Sequence, residues 1–440
     1  MQINKLPPKA DQPRAEKILI IGSGGREHAV GWKVAQSHRA GEIYFAPGNA
    51  GTAELGKNID IKATDISGLL AFTQTEKIDL TLALPDDPLA LGIVDEFQKS
   101  GLRIFGPTKS AAKLEWSKAF SKKFMQENNL PTANFRTFTE YNEAKSYLSL
   151  QSLPVVIKAS GLALGKGVII AETMGQAQKA LADIMVNKSY GEAGREVVIE
   201  EFLIGPEIST HAFSDGKNYS VFPPSQDHKR VGEGDTGLNT GGMGTIAPIP
   251  FVTGEMMAEI EKYIIAPTLQ NMNNAGTPFS GLLYPGLMLT SEGPKILEYN
   301  ARFGDPETQT YMRLLETDIL DIFDACIDGT LDKLEIKWKD LFACNIVLAS
   351  GGYPENYEKN KEIKGIENAE KEKDIVVFHA GTAMKDGKLV TNGGRVLGVS
   401  ATGSTLSEAL KKAYKAIEYI SFEGMQYRRD IGQKTLKLDD

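Results

Sequence analysis

Five side chains between positions 298 and 307 have the types and spacing that chemistry on charged substrates needs. In KILEYNARFGDPETQT (residues 295–310) a short apolar run with period-two alternation predicts a strand. Glu298 and Asn300 stand two apart on it, so they share one face. Carboxylate and amide oxygens together suit a hard divalent cation. Arg302, Asp305 and Glu307 follow directly. A cation and the anion it neutralises can meet here, and the expectation is a nucleotide's metal beside an acidic substrate.

Other stretches could also hold phosphate or carboxylate. GSGGREH sets Gly24, Gly25 and Arg26 at a strand-to-helix turn. Backbone N–H groups and the helix N-terminus favour an anion there. A dinucleotide fingerprint wants a third glycine where Glu27 stands, and no acidic residue clearly ends the second strand to take a ribose. That leaves a phosphorylated sugar or a plain tight turn. The loop SGLALGKG (residues 160–167) lies between Lys158 and Lys166's own end of the turn. Glycine-rich backbone with lysine suits the phosphates of ATP. It is not a Walker loop, because no Ser or Thr follows Lys166; a solvated hairpin turn is the plain alternative. VVIEEF (residues 197–202) ends a strand with Glu200 and Glu201, which could meet an adenine or ribose or simply face solvent. SQDHKR (residues 225–230) puts Lys229, Arg230 and a histidine beside Asp227, just ahead of a glycine-dense loop. A solvated charge run is the plain reading, and the adjacent Gly/Asn/Thr loop favours a phosphate or carboxylate site. His211 and His379 lie on apolar strands, as core residues do. Cys326 and Cys344 lack metal-ligand spacing. No nucleophile has an evident activating base, so a covalent enzyme intermediate is not indicated.

Positioning these groups takes alternating strands and helices. Apolar runs at 18–21, 43–46, 78–84 and 103–105 predict strands, with helical patterns at 67–76 and 89–100. That order predicts an open, doubly wound parallel sheet over about the first hundred residues. A helix at 117–129 then leads to strands 154–159 and 168–171, a hairpin around the glycine loop. Strands at 197–202 and 207–213 follow. GEGDTGLNTGGMG (residues 232–244) has no periodicity and reads as a long functional loop. A helix at 253–274 and a strand at 281–290 lead to the opening stretch. Helices 307–316 and 319–328 come next; strands return from 342, and an amphipathic helix at 405–419 closes the pattern.

The whole chain bounds what these elements can be. Its 440 residues have room for two to four domains. A net charge of −8 argues against a general nucleic-acid or anionic-membrane surface. Two cysteines argue against a disulfide scaffold and suit a reducing cytosol. No apolar run approaches the ~20 residues that span a membrane. The polar N-terminus reads as a mobile leader.

Taken in order, IIGSGGREHA, APGNAGT, IFGPT, SKAF, SQDHKRVG, DTGLNTGGMG and RFGDPETQT resemble the glycinamide ribonucleotide synthetase family of the ATP-grasp superfamily, over nearly everything from Lys17 onward. The resemblance implies an α/β and α+β chain: an N-terminal doubly wound parallel sheet, an ATP-grasp core of two α+β subdomains and a small C-terminal α+β domain. Expected limits are a leader at 1–16, a substrate domain at 17–118, a lid at 119–205, a central part with the metal site at 206–340, and a last domain at 341–440. The family joins glycine to 5-phosphoribosylamine, with ATP giving ADP and phosphate through a glycyl phosphate. The rivals are another carboxylate–amine ligase and a catalytically silent nucleotide-binding regulator.

Site roles follow from the same resemblance. Lys118, Lys158, Gly165, Lys166 and Gly167 would contact ATP, with Glu200, Phe202, Leu203 and Glu207 forming the adenine and ribose pocket. Glu298 and Asn300 would hold Mg²⁺ or Mn²⁺. Arg302, Lys166 and Asp305 would serve catalysis. Gly24, Gly25 and Arg26, helped by Gly48 and Asn49, would take the sugar phosphate. Asp86, Asp227, Lys229, Arg230, Asn239 and Thr240 would close the substrate side. The family's Gly-Pro-Glu reads Leu84-Pro85-Asp86 here, and Ser160 and Leu164 also depart from its lid pattern. A cytoplasmic monomer or small homo-oligomer is implied, acting on small molecules without nucleic acid or membrane.

Overall fold

A computed structural model describes residues 15–161 and 167–439. Most of the expected leader, together with Leu164, Gly165 and Lys166 of the glycine loop, lies outside those residues. The first sheet is built from β1 (Glu16–Gly22), β2 (Ala40–Pro47), β3 (Lys57–Asn58), β4 (Leu80–Ala83) and β5 (Ile104–Phe105). Its order is β3-β2-β1-β4-β5, all parallel, as a doubly wound sheet requires. Apolar runs form β1, β2, β4 and β5 because both faces are covered there, whereas the edge strand β3 is a polar, exposed pair. In β1, Ile18 and Ile20 enter one core while Leu19 and Ile21 enter another. The helix expected at 89–100 is two helices, Asp86–Leu91 and Ile93–Lys99. Gly92 separates them in the left-handed region, at φ +93°.

Next come β6 (Phe135–Phe138), β7 (Val155–Ala159), β8 (Val168–Ala171) and β9 (Val197–Glu201), an antiparallel sheet of order β6-β9-β7-β8. The expected hairpin around the glycine loop is β7–β8. The helices Tyr141–Leu148 and Met174–Met185 close a separate core over this sheet, around Ile157, Leu181 and Ile199. This unit therefore has a core of its own.

The middle of the chain gives β10 (Glu207–Ser209), β11 (Ala212–Asp215), β12 (Tyr219–Val221), β13 (Gln226–Asp227), β14 (Arg230–Gly232), β15 (Thr236–Asn239), β16 (Gly244–Ala247), β17 (Ser280–Thr290) and β18 (Gly293–Asn300). The strand expected at 207–213 is interrupted between β10 and β11. Both keep one register along β17, with Glu207 opposite Met288 and Ala212 opposite Leu283. The gap falls where Thr210 faces Pro285, which has no N–H to give the ladder. The glycine-dense stretch 232–244 is not the structureless loop its composition suggested. It folds back as the β14–β15 hairpin and runs on into β16, with Arg230 opposite Asn239. Gly234, Gly237 and Gly242 sit at φ +67°, +77° and +114°, so the glycines serve the turns. The helix expected at 253–274 is continuous but carries a π turn at Glu261–Ile265. Pro267, which lacks an N–H, follows that turn.

The last strands are β19 (Phe342–Ala349), β20 (Ile375–His379), β21 (Thr382–Lys385), β22 (Lys388–Thr391) and β23 (Arg395–Gly403). One sheet runs β13-β16-β19-β23-β20, so strands from either side of position 341 share it. The helix Leu406–Ile417 packs its apolar stripe on this sheet. Among the described residues, no helix is long and apolar enough to cross a membrane.

Candidate active site

The four larger sheets, with the β14–β15 hairpin, border a cleft of about 1050 Å³. Its floor is β18. A one-residue bulge in the β17–β18 ladder, between Glu298 opposite Gly286 and Ile296 opposite Leu287, leaves Leu297 unpaired. Its carbonyl accepts from Lys158 Nζ at 2.9 Å. Glu298 and Asn300 both line the cleft from this strand, as period-two spacing predicted.

One end of the cleft is basic. Glu200, on β9, is clamped between Lys158, on β7, and Lys122, whose Nζ lies 2.6 Å from Glu200 Oε2. All three are buried. Burial, opposed by Glu200 and helped by Lys158, lowers the Lys122 ammonium to about 8. Two lysines share one carboxylate, and Lys118 lines the same wall. The local surplus of positive charge suits a polyphosphate. Gly167, Phe202, Leu203 and Glu207 complete the wall.

The floor carries the opposite charge. Burial alone would raise the Glu298 carboxyl, but Lys229, Lys118, Lys158 and Arg302 hold it at about 2. Lys229 Nζ lies 2.5 Å from Glu207 Oε1 and 4.0 Å from Glu298 Oε1. Arg302 donates from Nη2 to Asn300 Oδ1 at 3.0 Å and lies with Nε 3.0 Å from Glu115 Oε1. Glu115 also accepts the Ala301 N–H at 2.8 Å. Among the described residues no three His, Cys, Asp or Glu side chains come together as a metal cage. An ionised carboxylate and one amide oxygen fit a hard cation that takes its other ligands from a nucleotide's phosphates.

The far wall belongs to the substrate-side candidates. Asp305 accepts from the Arg26 N–H at 3.3 Å and from Gln309 Nε2 at 2.9 Å. Burial works to raise its carboxyl, yet Arg395 and Arg26 hold it low. Arg395 arrives from β23, donating to the carbonyls of Gly241 and Asp305 at 2.6 Å each. Asp227 is pushed up by burial and by Glu307, which in turn accepts from Tyr284 Oη at 2.5 Å. Thr240 donates to the Lys229 carbonyl through both N (2.7 Å) and Oγ1 (2.8 Å). Asp86, Arg230 and Asn239 also line this side.

The structure keeps some candidates out of the cleft. Gly24, Gly25, Gly48 and Asn49 are not part of its lining. The Gly24 N–H donates to Glu27 Oε2 at 2.6 Å, and Gly24 stands directly behind Asp305 of the lining. Asn49 donates to the carbonyls of Ser23 (2.8 Å) and His379 (3.0 Å), tying the first sheet to the last. Side chains that sequence reasoning missed are Lys122, Glu115, Tyr284 and Arg395. Lys122 carried a signal, standing one helical turn after Lys118. Arg395 carried none, because nothing local to it marks a site some 90 residues away.

Comparison with known proteins matches this chain to three family models in order. Residues 16–115 match the phosphoribosylglycinamide synthetase N domain, 116–308 its ATP-grasp (A) domain and 343–434 its C domain. The phosphoribosylamine–glycine ligase of Vibrio parahaemolyticus is 49% identical over 423 residues, 96% of this chain and 98% of that protein. That of Pasteurella multocida is 50% identical over 423 residues, 95% and 98% of the two chains. A solved phosphoribosylamine–glycine ligase from Thermotoga maritima superposes with TM-score 0.83 at 38% identity, covering 94% of this chain and 99% of its own. The biotin carboxylase domain of a Hydrogenobacter thermophilus 2-oxoglutarate carboxylase, at 15% identity and TM-score 0.71, shares the fold.

Proposed function

The chain belongs to the phosphoribosylglycinamide synthetase family, and from that membership we propose that it ligates glycine to 5-phosphoribosylamine in purine biosynthesis, at the cost of one ATP. A glycine carboxylate oxygen attacks the γ-phosphorus, the bond to ADP breaks, and glycyl phosphate forms. The sugar amine then attacks the glycyl carbonyl carbon. The bond to phosphate breaks, the amine gives up one proton, and the amide of glycinamide ribonucleotide results. Such a reaction asks for positioning and charge stabilisation rather than a protein nucleophile.

One observation carries the reading. Glu298, kept ionised by four surrounding cations, shares a face with Asn300 beside Arg302. The family implies ATP and a divalent metal; Mg²⁺ or Mn²⁺ fits the oxygen donors of Glu298 and Asn300. When bound, that ion would neutralise charge on the transferring phosphoryl group. Lys118, Lys122 and Lys158 would hold the phosphates, with Gly165, Lys166 and Gly167 closing over them. Glu200, Phe202, Leu203 and Glu207 would border the nucleoside. Arg302, held in line by Glu115, would face the activated glycine. Arg26, Asp86, Asp227, Lys229, Arg230, Asn239, Thr240 and Asp305 would enclose the amine substrate. The same reading makes the protein a cytoplasmic monomer or small homo-oligomer acting on small molecules.

ADP release by the purified protein tests this. It should need both glycine and 5-phosphoribosylamine and fall by at least ~100-fold in Glu298→Gln, a loss of about 2.7 kcal/mol in transition-state stabilisation. Turnover supported by a different amino acid would favour another carboxylate–amine ligase. Tight ATP binding without turnover would favour a silent regulator.

A further inference from the structure

Arg428 heads the wholly buried side chains by size, yet no motif flagged it. Its guanidinium forks onto Asp430, with Nε 2.8 Å from Oδ1 and Nη2 2.7 Å from Oδ2. Nη1 reaches across to the middle of the chain, donating to Asp235 Oδ1 at 2.8 Å and to the Arg230 carbonyl at 3.1 Å. The contacts continue along the segment. Asp430 accepts the Gly234 N–H at 2.8 Å, and Lys434 pairs with Asp235. The Gly432 N–H donates to His228 Nε2 at 3.0 Å, and Thr435 Oγ1 donates to Gln226 Oε1 at 2.7 Å. Residues 428–435 therefore grip residues 226–235 at successive points.

The gripped stretch needs it. β14 and β15 form a two-stranded sheet by themselves, and residues 233–238 are exposed. An isolated hairpin is marginal in water. Lys229, Arg230, Asn239 and Thr240 depend on its position to line the cleft. Arg428 suits the task because a planar fork can bind a carboxylate side-on while its remaining N–H groups reach a second strand; lysine cannot.

We propose that residues 428–435 are a strap that positions the amine-substrate hairpin, with Arg428 as its central positioning residue. This rests on the reading of the hairpin as the amine side of the site. The strap should govern binding of the sugar amine and leave the ATP end alone. The variants Arg428→Lys, Asp235→Asn and their combination test it in ADP-release assays that give a separate KM for ATP, glycine and 5-phosphoribosylamine. The expected result is at least a tenfold rise in KM for 5-phosphoribosylamine in each single variant, with KM for ATP within twofold of the parent. The double variant should raise that KM by less than the product of the two single effects, because both substitutions remove the shared Arg428–Asp235 contact. Unchanged KM values, or a parallel rise for ATP and amine, would overturn the strap. Should Arg428→Lys fail to fold, Asp235→Asn on the half-exposed hairpin delivers the same readout. A parent protein without amine-dependent turnover would overturn the functional reading and the strap with it; parent turnover with unmoved variants overturns the strap alone.

Discussion

Lys122 decides how much positive charge the basic end of the cleft has to offer the ATP phosphates we propose it holds. Without it, Glu200 would neutralise Lys158 alone, and the phosphates would meet one cation fewer. Lys122→Met should therefore raise KM for ATP at least tenfold, about 1.4 kcal/mol, and leave KM for the amine unmoved. The parent carries a further mark. Because burial holds the Lys122 ammonium at about 8, its charge is present below that pH and lost above it. KM for ATP measured from pH 7 to 9 should climb in the parent and stay level in the variant. A matching climb in both would remove Lys122 from the ATP end. The residues that sequence reading found share a property with Lys122: each sits in a short run whose spacing already hints at a face, as Glu298 and Asn300 do. Those it missed, Glu115 and Arg395, matter through partners far along the chain, and no local pattern records such pairs.

The elements were more legible than their interruptions. Parallel strands announced themselves as unbroken apolar runs, and the β7–β8 hairpin as two such runs around glycine. Breaks came from single residues whose effect depends on what lies opposite: Pro285 facing Thr210, or Gly92 turning left between two short helices. The β14–β15 hairpin was hidden for another reason, since glycine density marks turns and loops alike. One glycine carries a sharper consequence. Gly205, in the turn between β9 and β10, sits at φ +156°, and a Cβ there would lie 2.0 Å from the Leu289 carbonyl oxygen, a backbone atom that no rotamer change can move. Gly205→Ala should cost at least about 2 kcal/mol in urea unfolding. It should also raise KM for ATP, because Phe202 and Leu203 hang on the same turn. A variant as stable as the parent would show that the turn yields without strain.

Across the whole molecule the first and last sheets meet around buried histidines. His28 Nδ1 accepts the His379 N–H at 2.7 Å, and Asn49 donates to the His379 carbonyl. Burial lowers the His379 imidazole to about 4, so it is neutral in the fold at pH 7. The unfolded chain takes up a proton near pH 6.5 while the folded one waits until about 4. Stability from this group is therefore whole above pH 6.5 and drains away between 6.5 and 4, by about 1.4 kcal/mol per pH unit. His379→Asn should lose that part of the slope, read as the difference in urea unfolding between parent and variant over the same range. Identical slopes would mean that other groups carry the acid sensitivity. The sheet that joins β13 and β16 to β19 has a consequence in time as well as in space. Synthesis runs from the N-terminus at roughly 5–20 residues per second. The strand Gly244–Ala247 is made about a hundred residues before its neighbour Phe342–Ala349, and the residues that hold the hairpin come later still. A nascent chain can therefore fold its first sheet and the β6–β9 sheet well before the segment 428–435 exists to hold the β14–β15 hairpin.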